Sequence, residues 1–116
     1  MKAAELATEE REVLRGTAEM FRALGDVVRL RVMVKLAGGG SFSIAELTEG
    51  TGVTRQAVTK HLRVLENVGV VDIRAHGREK LYELDAEPLS EAIACLDMVS
   101  EGWERALGRL KEFVEE

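Results

Sequence analysis

The sequence predicts a mainly helical domain with one small β-hairpin, and three observations predict it. Apolar residues recur at helical spacing over several stretches of the 116-residue chain. Over residues 70–84 the period shortens to two, the mark of short strands. From residue 86 a helical pattern returns and holds for four heptads. These boundaries give a single domain over residues 1–116: a helix-turn-helix at about 43–68, a hairpin wing at about 70–84, and helices at about 8–24 and 86–115 suited to dimerisation.

The first helix is read from Thr8 to Leu24, where Val13, Leu14, Ala18, Phe21 and Leu24 recur near helical spacing. Glu9, Glu10 and Glu12 crowd its start, where the positive end of the helix dipole favours them. Gly25 ends it, and Asp26 is placed to cap a second helix carrying Val28, Leu30, Val32, Met33, Val34 and Leu36. Gly38-Gly39-Gly40 stops that helix. This run has no Gly-Lys-Ser/Thr ending and follows no strand, so it reads as a terminator and not as a phosphate-binding loop.

Ser43 and Glu46 have the spacing of a capping box and open a short helix through Ile44, Ala45 and Leu47. Thr48 to Gly52 then forms a glycine-bearing turn, and two helices so joined make a helix-turn-helix. The second of them is the stretch that carries function. Ala57, Val58, Leu62, Val64, Leu65 and Val68 fall on one arc, with Arg55, Gln56, Thr59, Lys60, Arg63 and Asn67 on the other. Thr54 stands ahead of them as N-cap. Arg, Gln, Thr and Lys on the first turns of a helix suit the base edges and phosphates of a DNA major groove. Arg55 and Gln56 are assigned to base edges, Thr59 and Lys60 partly to phosphate, and Arg63 to a phosphate or an ion pair. Ser43 is placed to meet a phosphate through its hydroxyl and the helix end.

Val70–Arg74 and Lys80–Leu84 alternate and are rich in β-formers, with Ala75-His76-Gly77-Arg78 between them. A hairpin directly after a reading helix is a wing, which would set Arg74, His76 and Arg78 beside a phosphate backbone or a minor groove. For His76 the plain turn residue and the phosphate contact stand equal. His61 falls on the apolar arc and reads as a packed histidine bonded to backbone.

In the last helix Pro88 is tolerated in the first turn. Leu89, Leu96, Trp103 and Leu110 stand seven apart, and Ala92, Val99, Ala106 and Phe113 take the second heptad position. One small domain cannot cover so long an apolar stripe, and a second copy is the simplest partner. Trp103 reads as an interface or core anchor, the other reading placing it with Met98 in the wall of an effector pocket. Cys95 reads as a small buried residue, and Asp97, Glu101 and Glu104 as a solvated face.

Composition agrees with an ordinary soluble globule, 46% apolar and 32% charged. A lone cysteine rules out an internal disulfide framework and fits a reducing cytoplasm, and no apolar run is long enough to span a membrane. The net charge of −5 is unevenly spread. Residues 53–84 carry six Lys/Arg against four Asp/Glu, whereas residues 85–116 carry three against nine. The reading segment is therefore the basic one, and a dimer that turns it toward DNA keeps its acidic end away. Neither a catalytic triad nor a carboxylate pair nor a phosphate loop is present, so no enzyme activity and no cofactor are expected. A winged-helix module that binds protein and not DNA is the competing reading. Against it, the polar arc shows none of the aromatic or aliphatic anchors such a face would carry.

The segments FRALGDVVRLRVMVKL, SIAELTEGTGVTRQAVTKHLRVLENVGVV and RAHGREKLYELD closely resemble the ArsR family of bacterial winged-helix repressors, and the likeness runs from Phe21 to the C-terminus. The resemblance implies a homodimer joined through its first and last helices, bound to a pseudo-palindromic operator in double-stranded DNA near a promoter. An inducer, with small molecules among the candidates, would then release it. Asp26-Val27-Val28-Arg29 stands where the family often has Asp-Pro-Thr-Arg. Metal-sensing members carry Cys-x-Cys in the helix before the reading helix, or His and Asp ligands in the last helix. Here the first place reads SFSIAELTEG and the last helix holds no His, so the expectation is a regulator that does not respond to metal.

Overall fold

The computed structural model describes residues 3–115, with side chains described from Thr8 onward. Its elements are α1 (Ala3–Leu24), α2 (Val27–Ala37), α3 (Ile44–Thr48), α4 (Arg55–Asn67), β1 (Val71–His76), β2 (Glu79–Leu84) and α5 (Leu89–Glu115). The mainly helical class, the hairpin and the long final helix are as expected. α1 begins five residues before Thr8.

Side chains from the sequence fix three of the helix starts. Asp26 Oδ1 accepts from the N–H groups of Val28 and Arg29 at 2.9 and 3.1 Å, which opens α2. Both arms of the capping box open α3: Ser43 Oγ accepts from Glu46 N at 3.2 Å, and Glu46 Oε1 accepts from Ser43 N at 3.1 Å. Thr54 Oγ1 accepts from Ala57 N at 3.1 Å and opens α4. Thr48, expected in the turn, is the last residue of α3. The turn itself is held by Thr51 Oγ1, which donates to the Thr48 carbonyl at 2.7 Å and accepts from Val53 N at 3.3 Å.

The core forms where α1, α2, α3, α4 and the base of the hairpin meet. Met20, Val32, Met33, Leu36, Leu47, Val58, Leu62, Leu65, Val70, Val71 and Tyr82 are buried in it. In α2 the buried residues are Val32, Met33 and Leu36, while Leu30 and Val34 face outward. One expectation about an apolar face needs correction. In α4 Val64 is 36% exposed, because it stands about 120° around the helix from Val58 and so points away from the core that Val58, Leu62 and Leu65 fill.

The strands pair antiparallel from Val71↔Leu84 to His76↔Glu79, so the loop narrows to Gly77-Arg78 and His76 lies in β1, not in the tip. Gly77 takes φ +64° and Arg78 does not share that region, the pattern of a type II′ hairpin turn. Tyr82 also bridges to Phe42, its N–H donating at 2.8 Å and its carbonyl accepting at 2.9 Å. This bridge ties the wing to the residue before the Ser43 cap of α3. Gly69, at φ +83°, joins α4 to β1, and the Pro88 ring lies 3.3 Å from where a Cβ would stand. Pro88 therefore precedes α5 and seats its start on the core. As a result Leu89 and Ala92, expected in an interface between chains, pack inside their own protomer. Beyond Ala92 no described residue of α5 is buried. Among the described residues no helix is long and apolar enough to cross a membrane.

Candidate nucleic-acid interface

The N-terminus of α4 and the wing face one another across a cleft lined by Ser43, Arg55, Arg78, Glu79, Lys80 and Tyr82. Arg55 comes from the first turn of α4, fixed by the Thr54 cap, and Arg78 from the hairpin loop, fixed by the Gly77 turn. The fold thus brings together two arginines 23 residues apart in sequence. Gln56, Lys60 and Arg63 continue the exposed face of α4. Among the described residues, no ion pair involves Arg55, Lys60, Arg63 or Arg78, so their charge is open to an anionic partner.

Other expected residues are engaged within the chain. Thr59 is half-buried and its Oγ1 donates to the Arg55 carbonyl at 2.8 Å, leaving only its acceptor capacity. Arg74 Nε lies 3.4 Å from Glu83 Oε2, while Ser41 Oγ donates to the other Glu83 oxygen at 2.6 Å. Ser43 is 8% exposed and its hydroxyl accepts from Glu46 N, which leaves its O–H as the group able to donate to a phosphate. The capping carboxyl of Glu46 is held below the usual range, chiefly because the Ser43 N–H bonds its charged form. At the floor of the cleft, burial raises the Tyr82 pKa, with Glu66 acting in the same direction and Arg63 opposing, so the phenol stays protonated.

His61 is half-buried as expected, but its partners are side chains and not backbone. Its Nδ1 lies 3.1 Å from Arg29 Nη1 and 3.7 Å from Asp26 Oδ1. Among the described residues no three His, Cys, Asp or Glu side chains are grouped so as to hold a metal ion.

A helix-turn-helix domain family matches residues 24–74, the span from the end of α1 into β1. The HTH-type transcriptional repressor SmtB of Mycobacterium tuberculosis is 33% identical, over 87% of this chain and 73% of its own. The arsenical resistance operon repressor of Bacillus subtilis is 32% identical, over 73% of this chain and 85% of its own. The chain belongs to the ArsR family. A solved ArsR-like transcriptional regulator from Rhodococcus superposes with a TM-score of 0.67 at 29% identity, covering 86% of this chain and 93% of that one. As an ArsR-family winged helix-turn-helix protein it is a DNA-binding transcriptional regulator, not an enzyme. Within this ArsR-type frame, sequence reading missed Lys80, which lines the cleft from β2. Its signal was available: a cation two residues after Arg78, set aside because it was counted only as a strand residue.

Proposed function

We propose that this ArsR-family chain is a cytoplasmic homodimeric repressor that reads a pseudo-palindromic operator and does not respond to metal. α4 enters the major groove, with Arg55 and Gln56 on base edges, Thr59 offering its remaining acceptor to a base amino group, Ser43, Thr54, Lys60 and Arg63 on the flanking backbone, and Arg74, His76 and Arg78 following the next stretch of backbone or minor groove. The observation that carries this reading is the shared cleft of Arg55, Arg78 and Lys80, because it unites a base-reading position with two wing cations on one concave surface.

The homodimer rests on α5. Leu96, Val99, Trp103, Ala106, Leu110 and Phe113 leave a stripe in water, with Trp103 at 65% and Phe113 at 76% exposed. The stripe adjoins an apolar groove between α1 and α5 of about 590 Å³, lined by Val13, Leu14, Thr17, Cys95, Met98 and Val99. Thr17 Oγ1 is buried beside it without a hydrogen-bond partner among the described residues. The independence from metal rests on donors. One Cys and two His are the chain's whole supply, and they stand on three different elements, Cys95 on α5, His61 on α4 and His76 on β1.

The test is binding of the purified protein to DNA from upstream of its own gene and to random DNA across a salt series. A dimer footprint with half-sites about 10 bp apart and affinity falling steeply with salt is the expected result. Arg55→Ala should cost about 1–3 kcal/mol on the operator and relax specificity at one position. An unchanged ratio of operator to random binding in that variant removes Arg55 from the base edges.

A further inference from the structure

We infer that Arg29 is a positioning residue for the DNA-reading helix, held against it only while His61 is neutral. Arg29 stands at the start of α2 and reaches two neighbours. Its Nε and Nη2 donate to the carbonyls of Ala23 and Arg22, the last turn of α1, and its Nη1 meets His61 Nδ1 on α4 at 3.1 Å. One guanidinium therefore links the C-terminal end of α1 to the back of the helix whose front carries Arg55, Gln56 and Lys60. The two residues are 32 apart in sequence.

The chemistry of this contact fixes a protonation state. A guanidinium has only donors, so His61 Nδ1 must be the acceptor and the ring proton of the neutral imidazole must sit on Nε2. A proton added at Nδ1 turns the acceptor into a donor and sets two cations against each other. The anion then within reach is Asp26, whose Oδ1 is 3.7 Å from the same nitrogen and already accepts from Val28 N and Arg29 N. Protonation thus exchanges Arg29 for Asp26 as the partner of His61, and α4 loses its tie to the end of α1. Asp26, the N-cap of α2, and Arg29, in its first turn, are the charged groups in contact with His61 among the described residues. α1 reaches the contact through backbone carbonyls, among the described residues no charged side chain of α3 or β1 pairs with it, and the helical neighbours Ala57, Val58, Val64 and Leu65 are uncharged. Histidine is the side chain that ordinarily changes charge between about pH 5 and 8.

This inference rests on the DNA-binding reading for its consequence but not for its geometry, and the test separates the two. In the free protein, imidazole 15N spectra at about pH 8 should show His61 as the Nε2–H tautomer, and the α4 amide signals should shift on acidification in step with its ring. His61→Asn supplies an oxygen at the Nδ1 position and cannot titrate. Operator affinity is then compared at about pH 8 and 5.5, with His76→Gln in both chains, because a proton on the wing would strengthen DNA binding and mask the effect. The chain with native His61 should lose about fivefold or more on acidification, and the His61→Asn chain should stay flat. An Nδ1–H tautomer, α4 amides that ignore the His61 titration, or equal pH profiles in the two chains each overturn the inference. If no DNA binds at any pH, the dimeric-repressor reading fails while the free-protein spectra still decide the role of Arg29.

Discussion

Helices α4 and α5 are both amphipathic, and the chain treats their apolar faces in opposite ways. The face of α4 is closed: Val58, Leu62 and Leu65 are buried against α2, α3 and the base of the hairpin. The face of α5 is closed only at its first turn, through Leu89 and Ala92, and is open from there on. A periodic pattern states that a face will be covered, but not by what. For α4 the cover is within the same chain, so its polar face is fixed in direction. For α5 no cover is present among the described residues beyond its first turn, and in the proposed dimer the second copy would supply it and set the distance between two reading helices.

The largest effects should therefore separate folding from pairing. Leu65 is 0% exposed, and Leu65→Ala is expected to cost about 2–5 kcal/mol, seen as a lower urea midpoint at unchanged slope. Trp103→Ala should leave the unfolding of the isolated protomer nearly untouched and raise the dimer dissociation constant about thirtyfold or more, measured by sedimentation. Should Trp103→Ala destabilise a monomer as strongly as Leu65→Ala does, α5 is covered from within the chain and the contrast is broken.

Within the proposed DNA-facing surface a smaller contrast holds between α4 and the wing. Lys80→Ala should weaken operator and random DNA alike and lower the salt slope by about one, as loss of a phosphate contact does. Arg55→Ala should instead act on the operator most. A sequence-selective loss from Lys80→Ala would move the wing cation from backbone to base.

The limits of legibility follow the same division. Caps, the hairpin turn and the two amphipathic arcs are local, and Asp26, Ser43, Thr54 and Gly77 do in the structure what their neighbours in sequence imply. Val64 was misplaced because a wheel assigns an arc without saying how wide the core is. The Phe42–Tyr82 bridge joins single residues 40 apart and leaves no periodic trace. Ser43 combines the two: its hydroxyl accepts from its own helix, as the capping box implies, and its O–H is left to donate. The Arg29–His61 contact and the meeting of Arg55 with Arg78 and Lys80 are products of topology. Each residue could be singled out as polar and accessible, but not paired.

The smallest expected effect lies at the cap beside His61. The N–H groups of Arg29 and Val28, the first of them most strongly, hold the Asp26 carboxyl below the ordinary range. Because folding depresses this pKa, the charged cap stabilises the fold in full above the unfolded value of about 3.9, and the contribution is lost as pH falls through the lower folded value. Asp26→Asn retains a capping oxygen and removes the charge. With His61→Asn in both proteins, so that no imidazolium can pair with Asp26, the stability difference between the chain with native Asp26 and the Asp26→Asn variant should be constant above about pH 5 and shrink toward zero in stronger acid, followed by urea unfolding at several pH values. The exposed stripe of α5 is apolar and gains nothing from that charge, so Trp103→Ala should leave this acid-dependent difference unchanged. If it alters the difference, pairing through α5 reaches the α2 cap and the two helices are coupled through the core.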